Sequence, residues 1–219
     1  MRIRGVIWDF DGTLADTLPV ALEVYNELAE ERGFEPVTDP HAIRDLSIAE
    51  FMRQHRVPPH RLPLTFARFL REIQRRGDRI ALHSGIQETV REIAVLGIAQ
   101  AVVSSNRTKN IEAVLELNQV RSCFQFVAGT SRLFGKERRI RTALKQLQLE
   151  PERAIYVGDE IRDIEAAREA GISVAAVTWG MNSPRALAQR SPDLLLDDPR
   201  NLTKFMAADS DSTSDDTCT

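Results

Sequence analysis

Two aspartate pairs carry the chemistry available to this sequence. The first is Asp9-Phe10-Asp11-Gly12-Thr13, directly after the apolar run Val6-Ile7-Trp8. The second is Gly158-Asp159-Glu160-Ile161-Arg162-Asp163, directly after Ile155-Tyr156-Val157. Carboxylates gathered at one place repel and raise one another's pKa, so such a cluster points to a divalent cation that offsets the repulsion. An oxygen-rich acidic set suits Mg²⁺, which binds through a few carboxylates, waters and a substrate phosphate. Asp159 and Asp163 stand four apart at a predicted helix start, on one face and near the positive end of the helix. Lys136 and the Ser105 hydroxyl suit an anionic phosphoryl group opposite the metal. A calcium loop is the other reading of Asp-x-Asp-Gly, and it fails on spacing: its glycine belongs at position six and stands here at position four.

The elements around these residues follow from hydropathy. An apolar run ending in acidic residues reads as a parallel strand covered on both faces, with the acids at its carboxyl end, where open α/β sheets bind ligands. Gly12 lets the backbone turn sharply there. Further strands are expected over residues 99–103, 124–127, 155–157, 174–177 and 194–196. Helices are expected between them, over 86–96, 110–117, from 135 onward, and over 160–170 with Gly171 as its stop. Leu18, Leu22, Tyr25 and Ala29 recur at helical spacing and the helix closes at Gly33. Residues 42–55 and 64–75 read as helices punctuated by prolines, with no strand between about 16 and 80. The expected architecture is α/β: a doubly wound, mainly parallel, Rossmann-like core of residues 1–15 and 81–206, with an all-helical cap inserted over 16–80. The Ser-, Asp- and Thr-rich stretch 207–219 is expected to be a disordered acidic tail.

Length and composition fit this frame. The 219 residues suit one domain with a modest insert, and 42% apolar residues fill a sizeable core. A net charge of −3 argues against nucleic acid or a membrane surface as partner. No apolar run spans a bilayer, and Met1-Arg2-Ile3-Arg4 leads into a strand rather than a signal peptide. Cys123 and Cys218 are too few for a disulfide framework, and a cytoplasmic setting is expected.

The order and form of these motifs resemble the haloacid dehalogenase superfamily. Its first motif stands as Asp9-Phe10-Asp11-Gly12-Thr13 and its second as Val102-Val103-Ser104-Ser105-Asn106. Lys136 stands for the third, and Gly158-Asp159-Glu160-Ile161-Arg162-Asp163 for the fourth. The branch it is similar to is the phosphoglycolate-phosphatase-like one, whose helical cap lies between the first and second motifs. The resemblance implies a Mg²⁺-dependent phosphatase acting on a small phosphorylated metabolite through an aspartyl-phosphate, with phosphoglycolate as one candidate. It implies Asp9 as nucleophile and Asp11 as the acid and base. Ser105, Asn106 and Lys136, with Gly12 and Thr13, are implied around the phosphate. Asp9, Asp11 (through its carbonyl), Asp159 and Asp163 are implied around the metal, Asp163 holding its waters or Lys136. An aspartate at position 11 favours phosphoryl over carbon–halogen chemistry. The insertion lacks the Gly-x-Pro element expected of a phosphoglycolate phosphatase after its first helix.

Competing readings sit beside these. A phosphomutase uses the same residues, and the fold can also serve as a catalytically idle binding module. The resemblance prefers Ser105 to Ser104, as the residue directly before Asn106 in the family's pattern; Arg138 and Arg139 compete with Lys136 as the cation. His41, His55, His60 and His83 lack metal-ligand spacing. Arg44, Arg53, Arg56 and Arg61 read as solvated helix faces, any one of which can reach a substrate carboxylate if the cap closes. Trp179-Gly180-Met181-Asn182 reads as core packing. A monomer or a homodimer is equally compatible with the sequence.

Overall fold

The computed structural model describes residues 3–130 and 135–211. Six parallel strands form one sheet in the order β5-β4-β1-β6-β7-β8. They are β1 (Gly5–Trp8), β4 (Ala99–Ser104), β5 (Phe126–Gly129), β6 (Ala154–Gly158), β7 (Ser173–Val177) and β8 (Leu194–Leu196). The chain builds outward from β1 to β4 and β5, then returns to its other side for β6, β7 and β8. This reversal puts the carboxyl ends of β1, β4 and β6 side by side, at the switch point where such sheets bind ligands. Register fixes the alignment: Trp8 pairs with Val102 on one side and Val157 on the other. Asp9, one residue further on, anchors its N–H to Val157 O at 2.8 Å.

The central strands β1, β4, β6 and β7 are buried on both faces, as the continuous apolar runs predict. Val6 and Trp8 face a cluster shared with α1 (Leu18–Arg32), α4 (Ile86–Val95), α5 (Thr108–Leu117) and α9 (Arg200–Asp211). Ile7 and Tyr156 point the other way, into a cluster with α6 (Lys136–Leu147) and α7 (Ile161–Ala170). A short α8 (Pro184–Ala188), capped by Ser183, precedes β8.

The helical insertion after the first strand is present. It leaves and re-enters through a two-stranded antiparallel ribbon of β2 (Ala15–Asp16) and β3 (Ala81–Leu82), which the sequence reading did not anticipate. Inside it lie α1, α2 (Ile48–Gln54) and α3 (Leu62–Arg75). The helix expected over 42–55 is in fact a 3₁₀ turn, Pro40–Ile43, followed by α2, which begins with a capping box from Ser47 and Glu50. Tyr25, Phe34, Val37, Ile43 and Val57 form the insertion's own apolar cluster. The expectation of disorder from residue 207 needs correction: α9 runs to Asp211, held by the buried Leu202 and Met206. The rest of that expected tail, 212–219, lies outside the described residues. No helix among the described residues is long and apolar enough to cross a membrane.

Candidate active site

The turn after β1 is shaped around Asp159. Gly12 takes a positive φ of 78°, and a Cβ there would fall on the Asp159 carboxylate. Thr13 is buried and its hydroxyl donates to Asp159 Oδ1 at 2.8 Å. Thr13, expected around the phosphate, thus also ties its hydroxyl to a carboxylate. The loop after β7 closes the other side: the Met181 N–H donates to Asp159 Oδ2 at 2.7 Å, and Gly180 leaves no room for a Cβ against Asp159. Trp179 Nε1 donates to Thr13 O at 3.0 Å, tying this loop to the turn after β1. Core packing is therefore an incomplete account of 179–182.

Asp9, Asp159 and Asp163 each bring a carboxylate oxygen within 4.8 Å of the others, and all three are buried. Lys136 opens α6 and inserts its ammonium among them. It pairs with Asp9 Oδ2 at 3.1 Å and with Asp163 Oδ1, and lies 5.6 Å from the centre of the Tyr156 ring. Arg138, a rival from sequence, is exposed and pairs with Glu137 at 3.6 Å. Asp163 also accepts the Glu160 N–H at 3.0 Å, so one carboxylate caps α7 and holds Lys136.

Electrostatics follow from burial. Burial pushes the Asp9 carboxyl up to about 7, Lys136 pulling it down and Asp163 and Asp11 pushing it further up. Burial, with Asp163 and Asp9 beside it, holds Asp159 well above the ordinary carboxylate range. Burial alone would lower Lys136, yet the Asp163 and Asp9 carboxylates outweigh it and keep the ammonium firmly charged. Three buried carboxyl groups share one buried ammonium, so ionising all of them calls for a further cation, and Asp9 Oδ1 is buried without a hydrogen-bond partner. A buried, unmatched carboxylate oxygen is costly unless something cationic meets it. The all-oxygen donor set fits a hard divalent cation.

Asp11 is half-buried at the mouth of the site. Burial lifts its carboxyl to about 6, opposed by the hydrogen bond from Asn106 Nδ2 at 3.2 Å. The Asn106 N–H, expected to face the phosphoryl group, donates to Ser104 Oγ at 3.0 Å. Asn106 thus reaches Asp11 through its side chain. Ser104 is fully buried, and Ser105 stands half-buried at the carboxyl end of β4. A Cβ on Gly129 of β5 would strike the backbone at Asn106–Thr108, so that glycine lets the loop after β4 approach. Arg44, read from sequence as a solvated residue, is half-buried and donates to four backbone carbonyls of the loop after β7. No sequence pattern marks such an acceptor set, since every residue carries a carbonyl.

Known proteins resemble this chain in sequence and fold. Residues 6–177 match the haloacid dehalogenase-like hydrolase family. Phosphoglycolate phosphatase of Synechococcus elongatus is 33% identical over 206 residues, covering 91% of this chain and 95% of its own. N-acetylmuramic acid 6-phosphate phosphatase of Pseudomonas aeruginosa is 29% identical over 217 residues, covering 92% and 94%. Among solved structures, a haloacid dehalogenase-like hydrolase from Streptococcus pneumoniae superposes with a TM-score of 0.80 at 22% identity, over 93% of this chain and 98% of its own. That last likeness is one of fold. The chain belongs to the haloacid dehalogenase-like hydrolase family and is one of its phosphatases, a phosphoric monoester hydrolase.

Proposed function

We propose that the chain hydrolyses a small phosphomonoester in two steps through an aspartyl-phosphate on Asp9, with Mg²⁺ as cofactor. The observation that carries this reading is Asp9 itself: Lys136 holds Oδ2 at 3.1 Å while Oδ1 stands buried and unmatched. One Asp9 carboxylate oxygen attacks phosphorus, the bond to the alcohol oxygen breaks, and Asp11 delivers its proton to the leaving oxygen. Water then attacks phosphorus, Asp11 takes its proton, and the Asp9–phosphorus bond breaks to release inorganic phosphate. Asn106 Nδ2, 3.2 Å from Asp11, keeps that carboxyl oriented through both proton transfers. Ser105 and Lys136 stabilise charge on the transferring oxygens, the main need in phosphoryl transfer. Asp9, the Asp11 carbonyl, Asp159 and Asp163 would hold Mg²⁺, with Asp163 steadying Lys136 as well. When bound, the metal offsets the repulsion between an anionic nucleophile and an anionic ester.

The substrate class follows from the relatives: one acts on phosphoglycolate and another on N-acetylmuramic acid 6-phosphate. Both are phosphomonoesters that also carry a carboxylate. Phosphoglycolate is the first candidate, given the 33% identity of that relative. Release of inorganic phosphate from both esters and an aryl phosphate, with Mg²⁺ and with a chelator, tests the reading in the wild type and Asp9→Asn. Turnover that needs both Mg²⁺ and Asp9 is expected. A pure protein that releases phosphate from none of the esters would sink the proposal and return the mutase and idle-module readings.

A further inference from the structure

We propose that Arg44, on the helical insertion, is a positioning residue for the metal site, acting on Asp159 through two peptide planes of the loop after β7. This rests on the reading above that Asp159 holds Mg²⁺. Arg44 follows the turn Pro40–Ile43, whose Ile43 is buried in the insertion's own cluster. Its guanidinium crosses to the core and donates through Nε to Met181 O at 3.2 Å. Nη2 donates to Thr178 O at 2.8 Å, Gly180 O at 2.9 Å and Asn182 O at 3.0 Å. Guanidinium groups ordinarily select carboxylates or phosphates. Here the acceptors are main-chain carbonyls of a single loop.

The other ends of those peptide units face the acid. The Gly180 carbonyl and the Met181 N–H belong to one planar amide; Arg44 holds its oxygen and Asp159 Oδ2 accepts its N–H at 2.7 Å. The Met181 carbonyl and the Asn182 N–H form the next amide; Arg44 Nε holds its oxygen, and Asp159 O accepts its N–H at 3.2 Å. A trans amide points its C=O and N–H in opposite directions, so gripping the oxygens from the insertion aims the N–H groups at Asp159. Each bond also polarises the next, and a cation at the carbonyl end makes the N–H a stronger donor. With Thr13 on Oδ1 at 2.8 Å, the Met181 N–H completes a two-donor cradle that fixes which Asp159 lone pairs remain for a metal. Asp45, the next residue, accepts the Ser183 N–H at 2.8 Å, outside these two amides. It also accepts from the Asn182 side-chain Nδ2 at 3.4 Å, and so joins the insertion to the same loop without bonding either of the two amides that face Asp159.

The test compares Arg44→Met, Arg44→Lys and Asp45→Asn with the full wild-type chain, using Mg²⁺ alone as the probe. Titration calorimetry gives the Mg²⁺ affinity, and amide exchange reports the Met181 and Asn182 N–H groups. Arg44→Met should weaken Mg²⁺ binding about tenfold, the usual effect of losing a partner behind a metal ligand. The same variant should lose protection at both amides, with kcat falling more than KM changes. Arg44→Lys, which keeps the charge but lacks the planar fork, should fall between, and it carries the test if Arg44→Met does not fold. Asp45→Asn should stay within about twofold of wild type in Mg²⁺ affinity. Wild-type Mg²⁺ affinity in both Arg44 variants, or an equal loss in Asp45→Asn, would overturn the inference alone. A wild-type chain that binds no Mg²⁺ would overturn the metal reading and this inference with it.

Discussion

Asp9 carries opposed demands: a nucleophile must be ionised, yet its burial beside Asp163 and Asp11 disfavours the charge, and Lys136 is what restrains that cost. Asp9→Asn should therefore cut turnover by at least about 10³-fold. Without Mg²⁺ its Tm should match or exceed that of wild type, because removing one carboxylate eases the mutual repulsion. A markedly lowered Tm would mean that Asp9 is chiefly a structural ion-pair partner. Lys136 gives the converse case. Lys136→Met strips the cation from Asp9 and Asp163, and breaking a buried pair in this way costs about 3–5 kcal/mol. Urea unfolding should show that loss in chelator and a partial recovery in Mg²⁺, since a bound cation supplies the missing charge. Loss without any recovery would place the metal elsewhere. The acids and Lys136 were legible because chemistry and strand ends restrict them to few positions. The Thr13 hydroxyl bond to Asp159 was not legible, because a hydroxyl beside a phosphate and one beside a carboxylate have the same sequence. Arg44 and the Met181 N–H left no trace, because their partners are backbone atoms common to every residue.

At the scale of elements, long buried strands and capped helices were readable, whereas β2 and β3, at two residues each, are too short to show a period. Composition misled only at the end of α9: the Ser-, Asp- and Thr-rich stretch begins at 207, yet the helix that buries Leu202 and Met206, four apart on one face, runs on to Asp211. Ending the chain after Pro199 should cost several kcal/mol relative to ending it after Asp211, since burying each such side chain contributes about 1.5–3 kcal/mol. Equal urea midpoints for the two chains would contradict the packing of α9. Between elements, Asp45 links the insertion to the Ser183 N–H at 2.8 Å. Burial opposes ionisation of Asp45, but the Ser183 and Asn182 hydrogen bonds and Arg44 outweigh it and hold the carboxyl below its ordinary 3.8. A pKa lowered by folding stabilises above the unfolded value and is lost as pH falls through the folded one. Asp45→Asn should therefore cost on the order of 1 kcal/mol or less at neutral pH, the group being largely exposed. The gap should close as pH drops below 3.8. A gap that persists at low pH would assign the effect to packing rather than charge.

For the whole molecule, the question is whether the insertion is energetically a part of the core. Its sequence position between two strands reads as a detachable module, and it has an apolar cluster of its own around Tyr25, Phe34 and Val57. Yet α1 serves both clusters. Val20, Val24 and Leu28 face the sheet, while Tyr25 and Ala29 face the insertion, so one helix is apolar on two sides. Phe69 of α3 likewise packs against both. Unfolding the insertion alone would expose the sheet-facing side of α1, and restoring that side would require the insertion to refold. Arg44 adds a polar tie to the loop that holds Asp159. The expected result is one cooperative urea transition, with tryptophan fluorescence from the buried Trp8 and the partly buried Trp179 coinciding with far-UV circular dichroism from the helices. If dichroism fell first, by an amount matching α1 to α3, the insertion would be a separate folding unit and the double-faced packing of α1 would contribute little. A single transition would mean that seating the insertion and completing the sheet's core are one event, and that a substitution weakening α1 anywhere along its length lowers the stability of the catalytic loops.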